Sequence, residues 1–374
     1  MHLSAMQPVA IATFLLMVCG SLFASQLAAV EETFSNLLAE GKIVGGQVAI
    51  AQGSTVLLSR PYGTVAIDSK DPVKRDTLFL IASCSKPFAS ACVLRLTADA
   101  KVKFDLDDGI DRWIPQFANA KVSGGGSAMR APTVAELLCH RAGIYSQKMN
   151  MTPKQQMLIR TFDQTLPDAV AAIAEQPLLA QPGTDYAYSG AGYCVLGRVA
   201  ELAAGKPFES LLQEQVCAPL GLTRTTYFPA SKSFLCATGF DPETAPHALG
   251  TRHTFPLIGG SLYTTAEEMV RLGQSVGGFL PTESGNAFLS PEMRNELQTL
   301  RNPASEYSLG WSTLRRNGRV ARLSHGGSLQ CYRSFIAIDL QSKTTIAAVW
   351  TLPDQNDEAG KRIKDVLAAV MDNR

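Results

Sequence analysis

The feature that most constrains this chain is a pair of strand signals at its opposite ends. Val44 to Arg60 (VGGQVAIAQGSTVLLSR) reads as two strands around a turn at Gln52-Gly53-Ser54. Far downstream, Arg333 to Leu340 and Thr344 to Thr351 are β-branched runs separated by the turn Gln341-Ser342-Lys343. Each end also supplies a helix. Val30, Phe34, Leu37 and Leu38 recur at helical spacing before the first strand, and Ile363, Val366, Leu367 and Val370 share a face after the last. The simplest solution is a single antiparallel sheet made by both ends and flanked by their helices, with the middle inserted as a helical subdomain. The expected class is α+β, with the site in a cleft between the two layers.

With 374 residues the chain is long enough for one large domain or two intimately packed ones. A net charge of +1 with dispersed charges gives no stripe or tail for nucleic acid. The first thirty residues hold no charged side chain, and Pro8 to Gly20 is an apolar run followed by Ser21-Leu22-Phe23-Ala24-Ser25. This reads as a signal peptide over residues 1–24 with cleavage after Ala24, hence an exported, periplasmic or extracellular protein. Lipidation at Cys19, or retention of the segment, is the membrane-anchored alternative. The remaining seven cysteines have no CxxC spacing and sit mostly in apolar stretches, as small buried hydrophobes do. At least one thiol is expected to be free.

Three blocks carry chemistry. In Ala82-Ser83-Cys84-Ser85-Lys86, Ser83 and Lys86 form an S-x-x-K pair, which a helix starting at Ser83 would set on one face. Ala89, Cys92, Val93 and Leu96 continue the helical period, and Pro87 suits its first turn. A lysine in so apolar a setting is costly when charged, so it titrates low and can act as a base. In the second block, Pro182 to Gly197, a turn delivers Tyr188 to the start of a helix. In the third, Leu323-Ser324-His325-Gly326-Gly327-Ser328, a strand ends in glycines that let backbone approach a ligand.

Together these blocks resemble the serine β-lactamase and penicillin-binding protein superfamily, and within it the class C-like branch of D,D-peptidases, D-aminopeptidases and esterases. The likeness extends through Val102 to Asp108 with Trp113-Ile114-Pro115, Glu136 to Ile144, Gly259 to Met269, and Leu309-Gly310-Trp311. It implies a β-lactamase-like fold over residues 25–374, with a sheet layer over about 30–82 and 255–374 and a helical subdomain over about 83–254. It also implies that Ser83 is acylated and that Lys86 and Tyr188 share its proton. His325 would replace the lysine of the usual Lys-Thr-Gly strand motif. The backbone N–H groups of Ser83 and Ser328, beside Gly327, would form the oxyanion hole. The activity implied is cleavage of a β-lactam, a D-amino-acid peptide or a small ester through an acyl-enzyme, with no cofactor or metal. The partners implied are a small-molecule or peptide substrate and peptidoglycan.

Two departures bear on substrate. The family's Tyr-x-Asn is Tyr188-Ser189-Gly190 here, and Cys331 replaces a glycine often found after the strand motif. A noncatalytic penicillin-recognising fold that binds peptidoglycan or a protein partner is the main alternative. An α/β-hydrolase is disfavoured by the missing G-x-S-x-G elbow. A metal hydrolase is disfavoured by the scatter of His140, His247, His253 and His325, with His140 read as packing or capping a helix.

Overall fold

The computed structural model describes residues 8–146, 152, 155, 164–240, 256–301 and 305–372, the side chains from 23 onward. Both chain ends enter one six-stranded sheet in the order β2-β1-β8-β7-β6-β5. Its strands are β1 Gly45–Gln52, β2 Thr55–Gly63, β5 Ser312–Arg316, β6 Arg319–Leu329, β7 Tyr332–Asp339 and β8 Thr344–Thr351. All neighbours are antiparallel. The junction of the two ends is the β1–β8 pair, in register from Gly45↔Thr351 to Gln52↔Thr344. A separate two-residue ladder joins β3 (Phe79–Leu80) to β4 (Tyr263–Thr264).

Every residue of β8 is buried. Its sequence, TTIAAVWT, is nearly continuous in apolar and β-branched residues because both sheet faces are covered. Strand alternation sends Val48, Ile50, Ile346, Ala348 and Trp350 to one side. There they meet Val30, Phe34 and Leu37 of α1 (Pro8–Ala39) and Ile363, Leu367 and Val370 of the last helix (Ala359–Asp372). Each such fully buried aliphatic side chain contributes about 1.5–3 kcal/mol. Ala49, Ala51, Ala347 and Val349 face the other way, into the larger core shared with the helical region. The structure thus bears out the α+β class and its antiparallel sheet flanked by terminal helices.

At the centre of the larger core lies α2 (Ser85–Thr97), buried from Ser85 to Leu94 and again at Leu96. A helix covered on all sides is a core element and needs no polar face. At the other end of the chain, α1 runs unbroken through Ala24, the expected cleavage point. Among the described residues, no helix is long and apolar enough to cross a membrane. No disulfide joins the seven cysteines from Cys84 onward, six of which are buried while Cys236 is partly exposed. Burial pushes the Cys84 and Cys194 thiols up to about 12, which leaves them protonated and unreactive.

Candidate active site

Ser83 stands on a 3-10 turn, Ala82–Cys84, directly before α2. The helix therefore starts later than the spacing suggests, and the S-x-x-K pair spans the junction of turn and helix. Ala82 adopts φ 46°, a left-handed conformation uncommon outside glycine. Backbone held this way persists where surrounding contacts fix it. Those contacts are plain: the Ser334 hydroxyl donates to Ile81 O at 2.6 Å, and the Ser85 hydroxyl donates to Ala82 O at 2.6 Å. Ser85 Oγ also accepts the Leu262 N–H at 3.1 Å. Ala82, Cys84 and Ser85 are buried, so Ser83 alone of this stretch meets solvent.

Beneath it, Lys86 is only 1% exposed. Its Nζ lies 3.4 Å from Ser83 Oγ and donates to Gly259 O at 2.8 Å. A side chain at position 259 would bring a Cβ within 3.1 Å of that nitrogen, so glycine is what allows the carbonyl to come so near. Burial pushes the amine down to about 7, against a small opposing effect of the Cys194 and Cys84 thiols. At neutral pH a large share of Lys86 is therefore a free amine. With one N–H directed to Gly259 O, its lone pair is available to the Ser83 hydroxyl.

Tyr188 closes the other side, its ring centroid 4.6 Å from Lys86 Nζ. It lies two residues before the helix Gly190–Ala204, whose start is capped by the Ser189 hydroxyl accepting the Gly192 N–H at 2.9 Å. The fourth wall is β6, where Gly327 pairs with Ser334 and Ser328 with Arg333. A Cβ at Gly327 would collide with Ser334 Oγ and Ile81 O, so this glycine lets the strand lie directly against the Ser83 turn. Gly327→Ala should lower stability by about 1–3 kcal/mol through overpacking, read as a reduced thermal midpoint.

The cleft, of about 360 Å³, is lined by Ser83, Tyr188, His325, Gly327 and Ser328. The sequence-expected residues thus converge, with Lys86 under Ser83. His325 lines the cleft as an uncharged ring. It is 5% exposed, and burial together with nearby Lys86 pushes its pKa down to about 3, so it is neutral. Its Nδ1 lies 2.8 Å from Gly326 O, which can only accept, so Nδ1 carries the hydrogen. Its Nε2 then accepts the Tyr307 hydroxyl at 3.0 Å.

Residues 30–371 match the family model described as Beta-lactamase. The chain belongs to the beta-lactamase family. Esterase EstB of Burkholderia gladioli is 26% identical to this beta-lactamase-family chain over 345 residues, covering 83% of this chain and 86% of EstB. The solved structure of EstCE1, a hydrolase with promiscuous acyltransferase activity, aligns with a TM-score of 0.77 at 22% identity, over 92% of this chain and 99% of its own. D-amino acid amidase from Ochrobactrum anthropi SV3, complexed with D-phenylalanine, aligns at 0.68 and 21% identity, over 94% and 100%. These structural likenesses establish the β-lactamase fold, and the family makes the chain a serine hydrolase.

Two features of this beta-lactamase-family site escape a sequence reading. Tyr307 lies two residues before the quoted Leu309-Gly310-Trp311 and carries no signal by itself. Arg333, Asp357 and Lys364 also line the cleft, Arg333 paired to Asp357 at 2.8 Å. They come from β7, a loop and the last helix, so only folding brings them together. Among the described residues no group of His, Cys, Asp and Glu converges as a metal ion needs. His247 and His253 lie outside the described residues.

Proposed function

We propose that the chain cleaves small esters or amides through an acyl-enzyme on Ser83, in preference to β-lactams. The observation that carries this reading is the buried Lys86 amine, pushed down to about 7 and set 3.4 Å from Ser83 Oγ. Lys86 takes the Ser83 proton as Oγ bonds to the substrate carbonyl carbon, and the carbonyl π pair moves to oxygen. The backbone N–H groups of Ser83 and Ser328 stabilise that oxyanion. As the tetrahedral species collapses, Tyr188 and Lys86 pass the proton to the leaving oxygen or nitrogen. Water then cleaves the ester on Ser83 by the same steps reversed.

Three features support the substrate preference. Gly190 has no side-chain amide where the family has an asparagine, and His325 is neutral where the family has a lysine. The likeness to Esterase EstB points the same way. One missing hydrogen bond is worth about 0.5–1.5 kcal/mol, or up to roughly tenfold in rate. The test compares kcat/KM for nitrocefin, p-nitrophenyl acetate and a D-alanyl peptide in the wild type and in Gly190→Asn. Ester turnover should exceed nitrocefin turnover, and Gly190→Asn should shift the ratio toward nitrocefin by up to about tenfold. Faster nitrocefin turnover in the wild type would refute the preference, and an unchanged ratio in the variant would refute its cause.

The uncharged apolar leader supports export with cleavage after Ala24. Amino-terminal sequencing of protein recovered outside the cytoplasm tests it, and a chain still starting at Met1 would refute it.

A further inference from the structure

We propose that His140 is a positioning residue for Tyr188, an inference that rests on Tyr188 being the proton-transfer partner of Ser83 and Lys86. Residues 185–189 have no helix or strand to hold them. A tyrosine on such a segment needs fixed partners from elsewhere if its hydroxyl is to stay in register with a nucleophile. His140 supplies three of them to three consecutive residues. Its carbonyl accepts the Ala187 N–H at 2.8 Å. Its Nδ1 accepts the Ser189 N–H at 3.1 Å. Its ring packs on the Tyr188 ring, with centroids 4.3 Å apart. The backbone on either side of Tyr188 and the side chain between are thus gripped by a single residue.

The conformation of His140 suits that grip. It lies just past α3 (Val134–Leu138) with φ 60°, a left-handed turn. It is 3% exposed, at the centre of an aromatic group whose other members are Tyr186 at 6.0 Å, Tyr193 at 5.2 Å and Tyr307 at 4.8 Å. Because Nδ1 is an acceptor, the hydrogen of the neutral ring sits on Nε2. The Ser146 hydroxyl adds a bond to Tyr188 O at 2.7 Å, from the same stretch of chain. This goes beyond packing or capping a helix, because the residue gripped lines the catalytic cleft.

The test uses p-nitrophenyl acetate with the wild type, His140→Ala, His140→Asn, Tyr188→Phe and His140→Ala/Tyr188→Phe. Asn is the conservative variant because its Oδ1 is as many bonds from Cα as His Nδ1 and because it tolerates a left-handed φ. Displacing a reacting group by an ångström can cost about a hundredfold in rate, so His140→Ala should lose roughly ten- to a hundredfold in kcat with KM little changed. His140→Asn should recover most of the loss. In the Tyr188→Phe background the same His140→Ala change should cost less than about threefold, since it would act through a hydroxyl already gone. A purely structural role would lower the melting temperature and leave that cycle multiplicative. The proposal is overturned if His140→Ala keeps its kcat, if Asn gives no recovery, or if the full loss persists in the Tyr188→Phe background. Near-wild-type activity of Tyr188→Phe alone would instead overturn the role of Tyr188 on which it rests.

Discussion

Ser83→Ala should lose turnover by about 10³-fold or more and all covalent labelling by a fluorophosphonate, because among the described residues no other serine that lines the cleft is bonded to the Lys86 amine. Ser85 is the informative control. Its hydroxyl is fully buried and committed, donating to Ala82 O and accepting from Leu262 N–H. Ser85→Ala strands the Leu262 donor and should cost about 1–3 kcal/mol of stability while leaving labelling intact. Labelling of Ser83→Ala at the wild-type level would remove Ser83 from the mechanism, whatever its effect on turnover.

Lys86 should show a conflict between stability and activity. Its amine titrates at about 7 when folded and at 10.5 when unexposed to the fold's interior, so the folded state binds fewer protons between those values. The cost of burying it is fully present below about 7 and fades as pH rises toward 10.5, so this residue's contribution makes stability increase with pH across that window. Lys86→Met, similar in shape and free of charge, should therefore raise the melting temperature, most clearly below pH 7, while activity falls by several orders of magnitude. In the wild type, kcat/KM should climb with pH through about 7 as the amine loses its proton. Tyr188→Phe should also be slow, and the Lys86→Met/Tyr188→Phe double variant should lose much less than the product of the two. A multiplicative double variant would separate the two residues into independent roles, and an acid limb far from 7 would remove Lys86 as the titrating base.

The sheet was legible because apolar, β-branched runs and turn residues are local signals. β1, β2, β7 and β8 fall within a residue or a few of the runs that mark them. The hairpin of β5 and β6 also had a local signal, Asn317-Gly318, both at positive φ, which an expectation built only on the glycines after His325 passes over. The β3–β4 ladder had none, since two residues cannot establish a period. In the site, Ser83, Lys86 and Tyr188 are marked by spacing and by an apolar setting. The electrical state of His325 is not marked at all, because it depends on burial and on the Lys86 amine, which lies far from it in sequence. His140 was legible as a histidine that packs or caps a helix, but its hold on Tyr188 crosses from one loop to another and exists only in three dimensions.

The strand that completes the cleft reaches Ser83 only through the sheet, and that sheet joins β1 to β8. During synthesis, Ser83 leaves the ribosome long before Ser334 exists to hold its turn or β6 to close the pocket. The growing chain therefore carries a serine and a lysine with no formed centre around them until the final strands pair. Contacts so distant in sequence make that last step slow, and a chain cut short before β8 would be inert rather than partly active.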